Sequence, residues 1–239
     1  MMRLHPISII VPVLADTPAL VDLVARIRSW PEQPAEILVV SAETNAELQQ
    51  LCKELGCDYL ESIPCRGVQL AAGARATTEE ILWFLHADAG PHRDSLPAIT
   101  AAIDKGAVGG FFGFRLGGRT AWWKPLLNLL TTLRVRLGGT PYGDQGLFAT
   151  RAAYENAGGF APQPLFEEVT LVKSLRRQGH FFALALPIEV AARRWERDGW
   201  LSRSLSNRIL ALRYRLGASA EHLAKRYERV AVPNRKATS

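Results

Sequence analysis

Apolar and polar residues fall in blocks along the first half of the chain, and the block lengths separate strands from helices. Ile7-Ser-Ile-Ile-Val-Pro-Val13 is a mostly apolar run of strand length with a turn after it. Thr17 can cap a helix with Pro18 at the favoured first position and Ala19 next; that helix is expected to run to about Trp30, where Pro31 stops it. Glu36-Ile-Leu-Val-Val40 predicts a second strand, followed by a polar loop and a helix to Leu55 that Gly56 ends. Asp58-Tyr-Leu60 predicts a short third strand, Val68 to Ala76 a small-residue helix opened by Arg66-Gly67, and Ile81-Leu-Trp-Phe-Leu85 a fourth strand. Strands that are apolar throughout and alternate with helices argue for an α/β fold with a mainly parallel sheet covered on both faces. Ligands on such sheets sit beyond the carboxyl ends of the strands, so Leu14-Ala-Asp16, Ser41-Ala-Glu43 and His86-Ala-Asp88 are the segments to inspect.

The second half is less regular. Val108 to Leu116 reads as a glycine-containing strand, Ala121 to Leu137 as a helix and Pro141-Tyr-Gly-Asp-Gln145 as a loop. Gly146 to Thr150 is a short extended piece, and Glu167 to Gln178 a helix ended by Gly179. Phe181 to Leu186 and Ile188 to Ala192 read as two strands, and Trp200 to about Arg229 as helix with a break at Gly217. At about 100° per residue, Trp122, Leu126, Leu129, Leu130, Leu133 and Leu137 share one helical face, flanked by Arg134 and Arg136. Leu201, Leu205, Ile209, Leu212 and Leu216 form a second stripe, flanked by Arg208, Arg213 and Arg215. Two core helices with solvated edges are the commoner explanation; arginines reaching past an apolar stripe to lipid headgroups are the other.

Charge sharpens that choice. The chain of 239 residues carries a formal net charge of +6. From Arg193 onward there are 12 Lys and Arg against 4 Asp and Glu, a net of +8, which leaves −2 for the first 192 residues. A basic end on a near-neutral body points to an anionic partner. Three cysteines close together, without metal-ligand spacing, suggest reduced thiols, and no segment reaches the roughly 18 apolar residues of a membrane span. With no signal-peptide pattern, the expected location is the cytoplasm, with a peripheral seat on the inner face of the cell membrane as the extension of the basic-tail argument. Residues 1–199 are expected to form the main domain, 200–230 a basic amphipathic helical extension packed on it, and 231–239 a loose tail.

The sharpest chemical signal is Phe84-Leu85-His86-Ala87-Asp88, where an apolar strand delivers a carboxylate to the ligand edge of the sheet. A carboxylate there can hold a divalent cation, which in turn holds a diphosphate; an Asp that merely caps a turn is the plainer alternative. The strand-HAD element resembles the DxD element of family-2 glycosyltransferases of the GT-A fold. Ile9-Ile-Val-Pro-Val13 resembles their opening strand, and Arg66-Gly-Val-Gln-Leu-Ala-Ala-Gly73 the GRgxQxNxG stretch before the DxD strand. Gly109-Gly-Phe-Phe112, Tyr142-Gly-Asp-Gln145, Gly158-Gly-Phe160, Pro164-Leu-Phe-Glu-Glu-Val169 and Arg193-Arg-Trp195 follow in order. Together they resemble a bacterial subfamily often labelled radical-SAM/selenodomain-associated glycosyltransferases, over about residues 7 to 228.

The resemblance implies inverting transfer of a sugar from a nucleotide-diphosphate donor to an acceptor hydroxyl, assisted by Mg²⁺ or Mn²⁺, with a lipid among the acceptors to consider. It makes Asp88 the metal carboxylate and sets His86 where many relatives carry the first Asp of DxD. Glu168 aligns with the base that removes the acceptor proton, and Glu167 stays a live alternative. Asp144 and Gln145 would meet the acceptor, and Trp195 would stack on a sugar or fill core. Pro12, Asp16, Arg66, Gln69, His86 and Arg193 or Arg194 would face the donor, the arginines because guanidinium groups pair with phosphate oxygens. Two departures stand out: Ser41-Ala-Glu-Thr44 replaces the usual Asp-Gly-Gly-Ser, and Ala15-Asp16 replaces an Asn-Glu, so uridine specificity is not implied. The rival readings are a nucleotidyltransferase, which would want a glycine- and lysine-bearing phosphate loop that Val11 to Asp16 lacks, and a non-catalytic nucleotide-sugar- or membrane-binding protein. No nucleic-acid partner is expected, since no motif for one is present.

Overall fold

The computed structural model describes residues 4–14, 16–118 and 121–231, and among these the side chains of 136, 193, 194, 198 and 226–231 are left aside. The elements in chain order are β1 (Ile7–Val13), α1 (Thr17–Arg28), β2 (Glu36–Ser41), α2 (Ala46–Glu54), β3 (Asp58–Glu61), α3 (Arg66–Ala76), β4 (Ile81–Phe84), β5 (Ala89–Gly90), α4 (Ser95–Asp104) and β6 (Ala107–Leu116). There follow α5 (Trp123–Arg136), β7 (Phe148–Thr150), α6 (Arg151–Asn156), α7 (Glu168–Gln178), β8 (His180–Val190), α8 (Arg193–Asp198), α9 (Trp200–Arg215) and α10 (Ala220–Ala231).

The strands form one sheet in the order β3-β2-β1-β4-β7-β6-β8-β5. Pairs β1–β2, β2–β3, β1–β4 and β6–β8 are parallel; β7 runs antiparallel to both β4 and β6, and β5 antiparallel to β8. This is the mainly parallel, helix-covered α/β sheet that the apolar strands predict. One core lies on the α1 face, around Ile9, Leu23, Ile27 and Trp83. The other lies on the α3 and α7 face, around Ile10, Leu70, Phe84, Leu171 and Leu175. A strand residue pointing one way belongs to one core and its neighbour to the other, which is why β1 and β4 are apolar at nearly every position.

Several local expectations are revised. The first helix takes Asp16, not Thr17, at its N-cap, and no side chain makes the capping bond, so the Asp16 carboxylate is left for other work. Residues 91–106, without an assigned pattern, contain α4, which buries Leu96, Ile99 and Ala102 and tolerates Pro97 because it lies in the first turn. The two strands expected around Pro187 are one: the register of β8 against β6 slips between Leu184 and Pro187, and that irregularity absorbs the proline. Gly217, at φ +94°, separates α9 from α10 where the helical break is expected.

The amphipathic helices depart most from the commoner expectation of two core helices. Trp122 is 78% exposed, Leu129 63% and Leu137 78% on α5 and its flanks, and Leu205 is 61% and Leu216 78% exposed on α9 and its end. Buried instead are Lys124, Leu127 and Val135 of α5, and Arg203 and Leu210 of α9. Lys124 Nζ is satisfied by the carbonyl of Gly117 and by Glu196 Oε1 at 3.0 Å. Among the described residues no helix is long and apolar enough to cross a membrane.

One close approach holds the two halves in register. A Cβ at Gly67 would lie 1.9 Å from the carbonyl oxygen of Ala161 and 2.8 Å from that of Gln163, which accepts the Gly67 N–H at 3.2 Å. Helix propensity alone favours Gly67→Ala by up to about 1 kcal/mol. Collision with a backbone carbonyl outweighs it, so the variant is expected to lose about 1–3 kcal/mol. That corresponds to a Tm lower by roughly 2–10 °C. An unchanged or raised Tm in a thermal melt would show that the contact is not a constraint.

Candidate active site

Beyond the carboxyl ends of β1 and β4 lies a cavity of about 290 Å³. Its polar rim begins where β4 stops. The chain turns at Ala87-Asp88, closed by the Ala89 N–H to the His86 carbonyl at 3.0 Å, and leaves the Asp88 carboxylate exposed at the opening. Asp16, at the head of α1, faces the same space. Opposite, a single 3-10 turn over Gly143–Gln145 presents Asp144. This turn packs on His86 so closely that a Cβ at Gly143 would sit 2.6 Å from His86 Nε2. Burial pushes Asp144 up to about 6, and the charge of Asp88 adds to the rise, while Arg134 and Arg66 oppose it.

The floor is made by the start of α7. Glu167 is 1% exposed and is held by Arg66, whose Nε donates to Oε1 and whose Nη2 donates to Oε2 at 3.3 Å. Glu168, one residue on, is also buried, but it lines the cavity and its Oε2 has no hydrogen-bond partner. Burial, reinforced by the neighbouring Glu167 charge, raises the Glu168 carboxyl to about 8; Arg66 pulls the other way. Phe166 precedes the pair at φ +62°, a left-handed backbone that costs a residue with a bulky side chain. It is held there by stacking on Tyr214 at 4.7 Å and by Gln163 Nε2, which donates to the Phe166 carbonyl at 2.8 Å and to Tyr214 Oη at 2.9 Å.

The cavity therefore gathers Asp16, Arg66, His86, Asp88, Asp144, Glu168 and Trp195. Four expected residues are placed elsewhere. Pro12 lies within β1, opposite Val40, and does not line the cavity. Gln69, expected at the donor, is buried and donates to the carbonyls of Val13 (3.1 Å) and Val40 (2.8 Å), tying the ends of β1 and β2. Gln145, expected at the acceptor, is turned into the sheet and donates to the Phe112 carbonyl at 3.2 Å. Glu167, the alternative base, is paired with Arg66 and does not line the cavity, and the pair also engages the guanidinium expected to meet phosphate. Arg193 and Arg194 open α8, with side chains outside the described residues.

Tyr142, Leu165 and Phe166, from motifs already quoted, also line the cavity, and so do Asn207 and Leu210, which sequence reasoning missed. Asn207 and Leu210 come from α9, so the extension is part of the site. No short motif signals them; only the chain's return to the sheet edge does. Trp195 lines the same cavity, packs against Phe114 at 6.3 Å, and has a buried Nε1 without a hydrogen-bond partner. Among the described residues no group of three or more His, Cys, Asp or Glu is gathered as a metal cage. Asp88 with its exposed oxygens suits a hard cation that keeps waters and phosphate oxygens as most of its ligands.

A family model described as glycosyl transferase family 2 matches residues 8–157. The chain belongs to this family, and its fold is that of the GT-A glycosyltransferases. Among solved structures it is similar to glucosyl-3-phosphoglycerate synthase from Mycobacterium tuberculosis, crystallised with Mn²⁺, uridine diphosphate and glucosyl-3-phosphoglycerate: 20% identity, TM-score 0.60, 90% of this chain and 81% of that one. It is also similar to a mannosyltransferase from Pyrobaculum calidifontis in complex with GDP-Man and Mn²⁺: 18% identity, TM-score 0.64, 96% of this chain and 70% of that one. A third is S. aureus TarS 1-349 in complex with UDP-GlcNAc: 14% identity, TM-score 0.59, 78% and 58% covered. No curated protein matches the chain by sequence.

The Glu168 environment sets a stability test. The native state binds the Glu168 proton more tightly than the unfolded chain, so native stability is fullest below pH about 4.5 and falls as pH rises toward about 8. The Asp144 contribution has the same sign but is complete near pH 6, so the window above 6 belongs to Glu168. Glu168→Gln is expected to be more stable than wild type by about 1–3 kcal/mol at pH 8 and to lose that advantage near pH 5. Urea unfolding at the two pH values reads this; a pH-independent difference would remove the buried charge as its cause.

Proposed function

We propose that this protein is an inverting glycosyltransferase that moves a sugar from a nucleotide-diphosphate donor to an acceptor hydroxyl, with Glu168 as base. The observation that carries the reading is the Glu168 carboxylate, buried on the cavity floor, raised toward neutrality and with one oxygen free of protein partners. A group of that basicity can take a proton from an attacking hydroxyl near physiological pH, which an ordinary carboxylate does far less well. Arg66 is a positioning residue in this scheme: it holds Glu167, and thereby the first turn of α7, in place.

Asp88 would hold a Mg²⁺ or Mn²⁺ ion brought with the donor diphosphate; such an ion supplies charge stabilisation to the leaving diphosphate. Asp16, free of a capping role, is suited to the nucleoside. Asp144 is suited to the acceptor, and either arginine at the head of α8 to the diphosphate. The wall of Leu165, Phe166, Leu210 and Trp195 suits an acceptor with an apolar part, such as a lipid-borne hydroxyl. The ordered motifs from Arg66-Gly67 to Arg193-Arg-Trp195 support placement in the radical-SAM/selenodomain-associated subfamily.

Donor binding is tested by thermal unfolding against nucleotide diphosphates and nucleotide sugars with and without Mn²⁺. A ligand at about 100 times its Kd adds roughly 2.7 kcal/mol. That is on the order of 5–10 °C in a domain of this size. A metal-dependent shift with one nucleotide, absent in Asp88→Ala, is the expected result; no shift with any of them in folded protein would overturn the donor site. Where turnover is measured, kcat/KM should rise with pH toward a plateau above about 8. Glu168→Gln should lose about 10²–10⁴-fold in rate with little change in donor binding. A flat profile, or a Glu168→Gln enzyme that keeps its rate, would remove Glu168 as base.

A further inference from the structure

We propose that the outer faces of α5 and α9 form one docking surface for an anionic lipid bilayer. Both helices are inverted relative to a core helix. Lys124 and Arg203 are buried, while Leu126, Leu129, Leu130 and Leu133 on α5, and Leu201, Leu205, Ile209 and Leu212 on α9, are exposed. The helices meet at their starts. The ring of Trp200, at the start of α9, stacks on Trp123 at 5.9 Å and meets Trp122 edge-on at 5.7 Å. Towards the other end, Arg208 and Arg215 of α9 add like charge at Arg134 of α5. Two exposed apolar stripes are thus carried by helices whose starts meet at their tryptophans. Monomeric proteins seldom leave contiguous apolar patches beyond about 300–600 Å² without a partner for them.

Charge selects the partner. Neither helix contains a single Asp or Glu, and Arg208, Arg213 and Arg215 are exposed beside the leucines. A second copy of this chain would set cationic face against cationic face, and like charges across an interface are penalised. An anionic bilayer answers both features at once, because headgroup phosphates meet the arginines while the leucines and Trp122 enter the acyl boundary. The other side of α9 carries Asn207 and Leu210 into the cavity, so a docked molecule holds its cavity beside the lipid surface.

The test is flotation of the full chain with vesicles of pure phosphatidylcholine and of phosphatidylcholine with about one third phosphatidylglycerol, alongside light scattering without lipid. Wild type should float with the anionic vesicles, shift its tryptophan emission to the blue, and be released by salt. Combined Leu129→Ser, Leu133→Ser, Leu205→Ser and Leu212→Ser should weaken binding by at least about tenfold while the melt and the circular dichroism remain near wild type. Arg208→Gln with Arg213→Gln should weaken anionic binding by about fivefold per arginine. Folded wild type that ignores both vesicles overturns the proposal, whether scattering finds a monomer, which leaves the face to a protein partner, or a dimer that the serine variant dissociates, which assigns it to a second copy. Vesicle binding untouched by the serine substitutions overturns it as well. The readout uses no sugar donor, so it stands or falls apart from the transfer reading.

Discussion

Glu167 and Arg66 are about a hundred residues apart, and their side chains meet where the parallel half of the sheet faces the start of α7. A carboxylate with 1% of its surface exposed is costly to bury unless a charge answers it. Arg66 does so with two hydrogen bonds, and Gly67 beside it lets the helix meet the backbone at 161–163 without a side chain between them. This join fixes the first turn of α7, and the geometry of the turn sends Glu167 into the pair and Glu168 into the cavity. The left-handed Phe166 is part of the same device, since it turns the chain sharply into the helix and is held by Tyr214 and Gln163. One acid is paired with an arginine, and the next is buried with one oxygen lacking a hydrogen-bond partner.

Much of the fold could be read from the sequence because its strands are buried on both faces. An apolar run such as Ile81 to Phe84 has one environment available to it, so strand, sheet type and ligand edge follow together. The HAD turn and Asp16 could be read for the same reason: a chain leaving a buried strand must surface at the carboxyl edge. Legibility ended where residue type and motif position agree but direction does not. Gln69 and Gln145 sit in motif positions, yet each points at backbone carbonyls, because strand ends and sheet edges carry acceptors that need donors. Glu167 and Glu168 are identical side chains on adjacent residues, and only the partner a hundred residues away tells them apart.

The helices α5 and α9 show a different limit. Periodicity locates an apolar stripe, but it does not say whether the stripe faces protein or something else. Inward-facing leucines are so common that a core is the natural expectation. Here the opposite face also has what burial requires: Lys124 finds Gly117 and Glu196, and Leu127, Val135 and Leu210 supply the apolar contacts. The sequence feature that distinguishes the two cases is the absence of any acidic residue in either helix. A solvated helix edge ordinarily mixes signs, whereas these edges carry one.

Cavity and apolar face are therefore coupled through α9. A helix that lines a cavity on one side and exposes leucines on the other has few positions left for ordinary core packing, and α9 buries only Arg203 and Leu210 by residue. Its anchoring comes from its ends and neighbours: the stacked tryptophans at its start, and Tyr214 on Phe166 near its close. Those aromatic contacts also reach the Phe166 that sets the floor of the cavity. α9 thus touches the cavity both at the wall made by Asn207 and Leu210 and, through Tyr214 on Phe166, at the turn that precedes Glu168. In physical terms, the aromatic contact that ties α9 to the cavity floor lies two residues before the buried Glu168 carboxylate.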